Sequence, residues 1–108
     1  MSTATGLDAL RAALRHQADV EFPAAARAGD YPVRFNHCFL RIVYDNLFGA
    51  PWREVLPPGA PAIAQLDGEQ LRAALAIGRS VIDYPATCRA LNRRSLELRG
   101  KLRAGPGT

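Results

Sequence analysis

Apolar and polar positions recur at helical spacing along most of this chain, and the densest apolar run, residues 35–49, organises the rest. It is longer than an ordinary strand and typical of a helix. At roughly 100° per residue, Phe35, Phe39, Ile42 and Val43 fall on one side, flanked by Leu40 and Leu47. Arg34, His37, Arg41, Tyr44, Asp45 and Phe48 fall on the other. Gly49 suits the left-handed position that closes a helix, and Pro51 cannot continue one. Upstream, Asp30 is the expected cap and Pro32 the expected first turn. Asn46 interrupts the apolar face, and a buried amide there must find partners or cost about 1–3 kcal/mol. Phe48 is the converse, an aromatic on the polar side, expected to pack under the 51–52 loop.

Three further helices follow from the same reasoning. Leu7, Leu10, Leu14 and Ala18, with Ala13 and Val20 beside them, predict a first helix over 6–21, opened by Thr5 and Asp8 in capping-box spacing. Pro23 is expected to interrupt it, with a short turn over 24–28 closed by Gly29. After Gly49 come Pro51, Pro57, Pro58 and Pro61, a stiff connection in which 52–56 and 61–66 each suit one helical turn lying on the core. Asp67 with Gln70 forms a second capping box, and Leu71, Ala74, Leu75, Gly78, Val81 and Ile82 share the face of the helix it opens. Gly78 costs about 1 kcal/mol relative to Ala in a helix interior, which marks it as a point of close approach. The last helix is predicted over 85–102, with Tyr84, Cys88, Leu91, Ser95, Leu98 and Leu102 as a narrow stripe. The fold class expected is all-α, a compact bundle of about four helices with a Pro-rich connection between the second and third.

Length changes this picture little: 108 residues make one domain spanning 1–108, with 1–4 and 104–108 expected to be disordered tails. Hydrophobic residues at 48% and charged residues at 22% are ordinary for a globular protein, and no apolar run reaches the ~20 residues that span a bilayer. The N-terminus has no basic start followed by an apolar core, so the expectation is a cytoplasmic protein, with no membrane partner. The abundance of Ala, Arg, Leu, Gly and Pro reads as the codon bias of a GC-rich, bacterial genome, which discounts the arginines as functional evidence. Cys38 and Cys88 lie outside any CxxC or Cys/His metal spacing and are expected to be free thiols. No cofactor or metal motif is present.

Three stretches carry chemistry. Cys38, one turn from Arg41, has the setting of a lowered-pKa nucleophile, but His37 diverges from it by about 100° around the helix. Arg34, His37, Arg41, Tyr44 and Phe48 mix guanidinium and aromatic groups, the types enriched at interaction hot spots. Arg41 and Asp45 stand at i and i+4 on that face, in ion-pair spacing. The last helix carries Arg89, Arg93, Arg94, Arg99, Lys101 and Arg103 against one acid, Glu97, and Leu96 sits among its arginines, off the apolar stripe. A helix-turn-helix fails because Pro85 falls where the recognition helix needs its backbone. With a net charge of +4, the expected function is a non-enzymatic interaction module that binds a protein partner through these basic and aromatic faces. The expected binding residues are Arg34, His37, Arg41, Tyr44, Phe48, Arg89, Arg93, Leu96 and Arg103. The alternative is a sequence-tolerant nucleic-acid binder using the last helix, and the third reading is a small enzyme with a reactive Cys38.

Overall fold

A computed structural model describes residues 3–100, and every element among them is helical. The chain runs α1 (Thr3–His16), a π-helical segment (Gln17–Glu21), α2 (Phe22–Ala28), α3 (Asn36–Phe48), α4 (Trp52–Val55), α5 (Ala62–Gln65), α6 (Gly68–Asp83) and α7 (Pro85–Leu98). The expectations for Leu102, Arg103 and the C-terminal tail fall outside the described residues. Among the described residues no helix is long and apolar enough to cross a membrane.

The first departure from the pattern is at Pro23, which does not interrupt the helix. The Phe22 N–H donates to the Gln17 carbonyl, five residues back, and Pro23 opens α2 in the first turn. The wider π turn lets the helix carry a residue with no N–H to donate. The buried positions Leu14, Ala18, Phe22 and Ala26 are strictly four apart. In an unbroken α-helix that spacing would drift by about 120° around the axis over three steps. The π turn, with more residues per turn, reduces the drift and keeps all four on the core. At the other end α1 begins at Thr3 rather than at Gly6, so Thr3 and Ala4 belong to its first turn and not to a tail.

The start of α3 also differs. Its N-cap is Phe35, in extended conformation, and Asp30 and Pro32 lie in the preceding loop. Tyr31 explains the delay. Its ring meets Phe22 edge-on at 5.7 Å and its hydroxyl donates to the Ile82 carbonyl, which pins the loop across the bundle before a helix can start. Phe35 consequently lies outside the helical face assigned to it and is 63% exposed, stacked on His37.

From there the sequence is followed closely. Phe39, Ile42 and Val43 are fully buried, and Phe39 stacks on Phe22 at 5.1 Å. Gly49 takes the left-handed conformation (φ 67°) and donates to the Asp45 carbonyl at 2.8 Å. Asn46 finds two acceptors, the Ile42 carbonyl at 2.8 Å and the Leu91 carbonyl at 2.9 Å, so it ties α3 to α7. Asp67 and Gln70 close their capping box reciprocally at 2.8 and 2.9 Å. A Cβ on Gly78 would lie 2.2 Å from the Gln17 amide oxygen and 2.9 Å from the Phe39 ring, so the missing side chain is what admits the π segment and α3 to this face of α6. α3 packs against both α6 and α7, and α1 against α6.

α7 is shorter than its stripe suggests. It ends at Leu98, because Gly100 adopts a left-handed conformation (φ 70°) and donates to the Glu97 carbonyl. Tyr84 is the extended hinge between α6 and α7 and is 62% exposed rather than part of the stripe.

Candidate functional site

The polar side of α3 is not a solvated face. Tyr44 and Asp45 are buried, and Asp45 is fully so. Its carboxylate accepts from four donors. Arg99 forks onto it, Nε to Oδ2 at 2.6 Å and Nη2 to Oδ1 at 3.1 Å. The Ser95 hydroxyl donates to Oδ2 at 2.6 Å, and the Trp52 backbone N–H donates to Oδ1 at 2.9 Å. Arg41 joins the same network indirectly, donating to Ser95 Oγ at 2.8 Å and to Asn92 Oδ1 at 2.7 Å. The i, i+4 partner predicted for Asp45 therefore reaches it only through Ser95. A buried carboxylate stripped of partners would be very costly, whereas a bidentate guanidinium and two further donors satisfy it. The network fastens the end of α7 and the start of α4 to α3.

Those elements enclose a cleft of about 520 Å³, within the range of binding pockets. Its floor is Leu40 and Tyr44 of α3 with Ala18 of the π segment, and Ala62 and Ile63 of α5 form one wall. Trp52 stands at another side, edge-on to Tyr44 at 5.9 Å, with the Arg53 guanidinium 5.1 Å over its indole. Four arginines, Arg15, Arg41, Arg53 and Arg99, line the cleft against one lining acid, Asp19. Arg41 and Arg99 are committed to the buried network. Arg15 and Arg53 have no carboxylate within ion-pair distance among the described residues.

Tyr44 is 3% exposed, and its hydroxyl has no hydrogen-bond partner among the described residues. It is not sealed off either: the buried side-chain atoms without partners are Gln17 Oε1 and Asn46 Oδ1. The phenol thus opens to the cleft. Burial pushes its pKa up to about 12, with the Arg15 charge opposing that rise, so the group is a hydrogen-bond donor at any physiological pH.

The cleft brings together three of the binding residues proposed from sequence, His37, Arg41 and Tyr44. Arg34 lies round a ridge formed by the stacked Phe35 and His37 rings (5.7 Å), beside Arg27 in a second depression of about 510 Å³. Phe48 is half-buried against the core and does not line the cleft. Arg89, Arg93 and Leu96 are on α7 and line neither depression. Arg89 donates to the Asp30 carbonyl at 3.0 Å, and Arg93 approaches Glu97 at 3.9 Å. Leu96 is half-buried rather than exposed, since it lies on the flank of α7 shared with half-buried Asn92 and Arg99. Arg103 is outside the described residues.

Sequence reasoning missed Arg15, Trp52, Arg53 and Arg99 as parts of one site. No local pattern links them, since three segments far apart in the chain contribute them. The signal within reach was Trp52, a large aromatic in a proline-rich connection, on the single turn expected to lie on the core. Cys38 is half-buried and Cys88 buried, both as free thiols, and the His37 ring is engaged with Phe35. Among the described residues no three His, Cys, Asp or Glu side chains cluster as metal ligands would. Comparison with protein-family models, curated proteins and solved structures finds no match to this chain.

Proposed function

We propose that the chain is a small non-enzymatic interaction module that binds a protein partner, receiving an acidic segment with apolar side chains in the α3–α4–α5 cleft. The observation that carries this reading is the lining itself. The apolar floor of Leu40 and Ala18 and the Ile63 wall are rimmed by Arg15 and Arg53, with the aromatic Tyr44 and Trp52 in the same lining. That is the anatomy of an interface core inside a charged rim, built from the residue types that dominate binding energy. The unpaired arginines select against basic segments, because like charges brought together at an interface are costly.

A sequence-tolerant nucleic-acid binder is the second reading. It draws on the exposed Phe35–His37 stack beside Arg34 and Arg27, a platform on which a base could lie. The outer arginines of α7 favour it less, since Arg89 and Arg93 each have an acid within 4 Å.

Affinity capture from the cells that make the chain, with and without nuclease, separates the two. Arg53→Glu is expected to abolish capture of a protein partner that survives nuclease, while Arg89→Glu with Arg93→Glu leaves it nearly intact. Capture that disappears with nuclease, or that Arg53→Glu leaves unchanged, overturns the protein-binding reading at this cleft.

A further inference from the structure

We infer that the floor of the cleft is a carboxylate subsite, in which the Tyr44 hydroxyl and the Arg15 guanidinium together hold one carboxylate of the ligand while Leu40, Trp52 and Ile63 pack its apolar part. This rests on the cleft being the binding site and goes further, because such a subsite takes a small amphipathic carboxylic acid by itself.

Two independent observations converge on it. The first is the Tyr44 hydroxyl, which opens to the cleft from an otherwise buried side chain and has no hydrogen-bond partner among the described residues. The second is the Arg15 guanidinium, which lines the same cleft as that phenol and has no carboxylate within ion-pair distance among the described residues. A donor hydroxyl and a fork of N–H groups suit an oxygen anion, and a charge-assisted bond of this kind is about twice as strong as a neutral one. The apolar surroundings favour a carboxylate over a phosphate dianion, which loses more hydration on entry. Asp19 on the same wall does not compete for Tyr44; its Oδ1 accepts from Asn36 Nδ2 at 2.9 Å.

The chain has a single tryptophan, Trp52, in the cleft wall, so its fluorescence reports occupancy directly. The probes are 4-phenylbutyrate, its neutral isostere 4-phenylbutyramide, phenyl phosphate and a decameric oligouridylate, titrated with excitation at the indole edge. 4-Phenylbutyrate is expected to saturate at about millimolar concentration, a reasonable affinity for so small a ligand. The amide is expected to bind about tenfold more weakly, as loss of a hydrogen bond to a charged group implies. Tyr44→Phe, which keeps the ring and removes only the hydroxyl, should cost the acid about tenfold and leave the amide unchanged. Arg15→Gln, on an exposed position that cannot unfold the chain, should do the same. Equal binding of acid and amide, or acid binding insensitive to both variants, overturns the subsite while leaving a cleft that binds apolar groups. Tighter, Tyr44-dependent binding of phenyl phosphate or the oligonucleotide overturns the carboxylate assignment in favour of phosphate. No saturable change with any probe overturns the subsite outright, whereas capture of a partner that Arg53→Glu abolishes would still uphold the cleft.

Discussion

Asp45 and Cys88 illustrate how far a single residue's role depends on partners distant in sequence. On a helical wheel Asp45 belongs to a solvated face and pairs with Arg41. In the fold it is fully buried and its guanidinium partner is Arg99, 54 residues away. Nothing local could have predicted that, because the pairing is created by how α7 lies across α3. Cys88 is fully buried too, and burial pushes its thiol from 9.0 up to about 11, with Arg89 and Arg41 opposing. Between those values the unfolded chain releases the thiol proton and the folded chain keeps it, so rising pH favours unfolding. The contribution is intact below pH 9 and is lost progressively toward pH 11, about 3 kcal/mol in all. Urea midpoints measured under reductant should therefore be level up to about pH 9 and fall by pH 10. Cys88→Ala should start lower and lose most of that slope. An unchanged slope in the variant would assign the alkaline loss to other groups.

At the scale of elements, the junction of the π segment with α6 is where packing is tightest. Ala in place of Gly ordinarily gains about 1 kcal/mol in a helix interior. Gly78→Ala should instead cost about 1–3 kcal/mol by overpacking, since its Cβ would meet Gln17 and Phe39. Gln17→Ala removes the nearer obstacle but also the bond from Gln17 Nε2 to the Leu75 carbonyl at 3.1 Å. A double-mutant cycle by chemical denaturation should show the pair together less destabilising than the sum of the two, by at least about 0.5 kcal/mol. Strict additivity would mean that the two side chains do not share this space. The same comparison shows what was legible. The central helix, its left-handed Gly49 stop, the Asp67 capping box and the close approach at Gly78 are local signals, and each stands in the fold as the spacing implied. The π turn was written in the four-residue spacing of Leu14, Ala18, Phe22 and Ala26, but Pro23 reads first as a break. The late start of α3 depends on Tyr31 reaching Ile82 across the bundle, and the early end of α7 on Gly100 being read as a stop.

For the molecule as a whole, the arginines of α7 and those of the cleft stand in surroundings of different character. On the outer side of α7, Arg89 and Arg93 are exposed, each with an acid within 4 Å. In the cleft, Arg15 and Arg53 rim an apolar floor that the Asp45 network holds in place. Arginines of the first kind are worth little for specific binding, because exposed and partly neutralised charges are well screened. The cleft was only partly legible, through His37, Arg41 and Tyr44, because its other walls come from segments with no shared pattern. The central claim is that this cleft, and not α7, is where a partner binds. Backbone amide chemical-shift mapping tests it most directly, with an acetylated, amidated hexapeptide alternating glutamate and leucine as the probe. The account predicts shifts concentrated at Ala18, Leu40, Tyr44, Trp52 and Ile63 that weaken in Arg53→Glu. Shifts concentrated at Arg89, Arg93 and Leu96 instead, or none at saturating peptide, would contradict it.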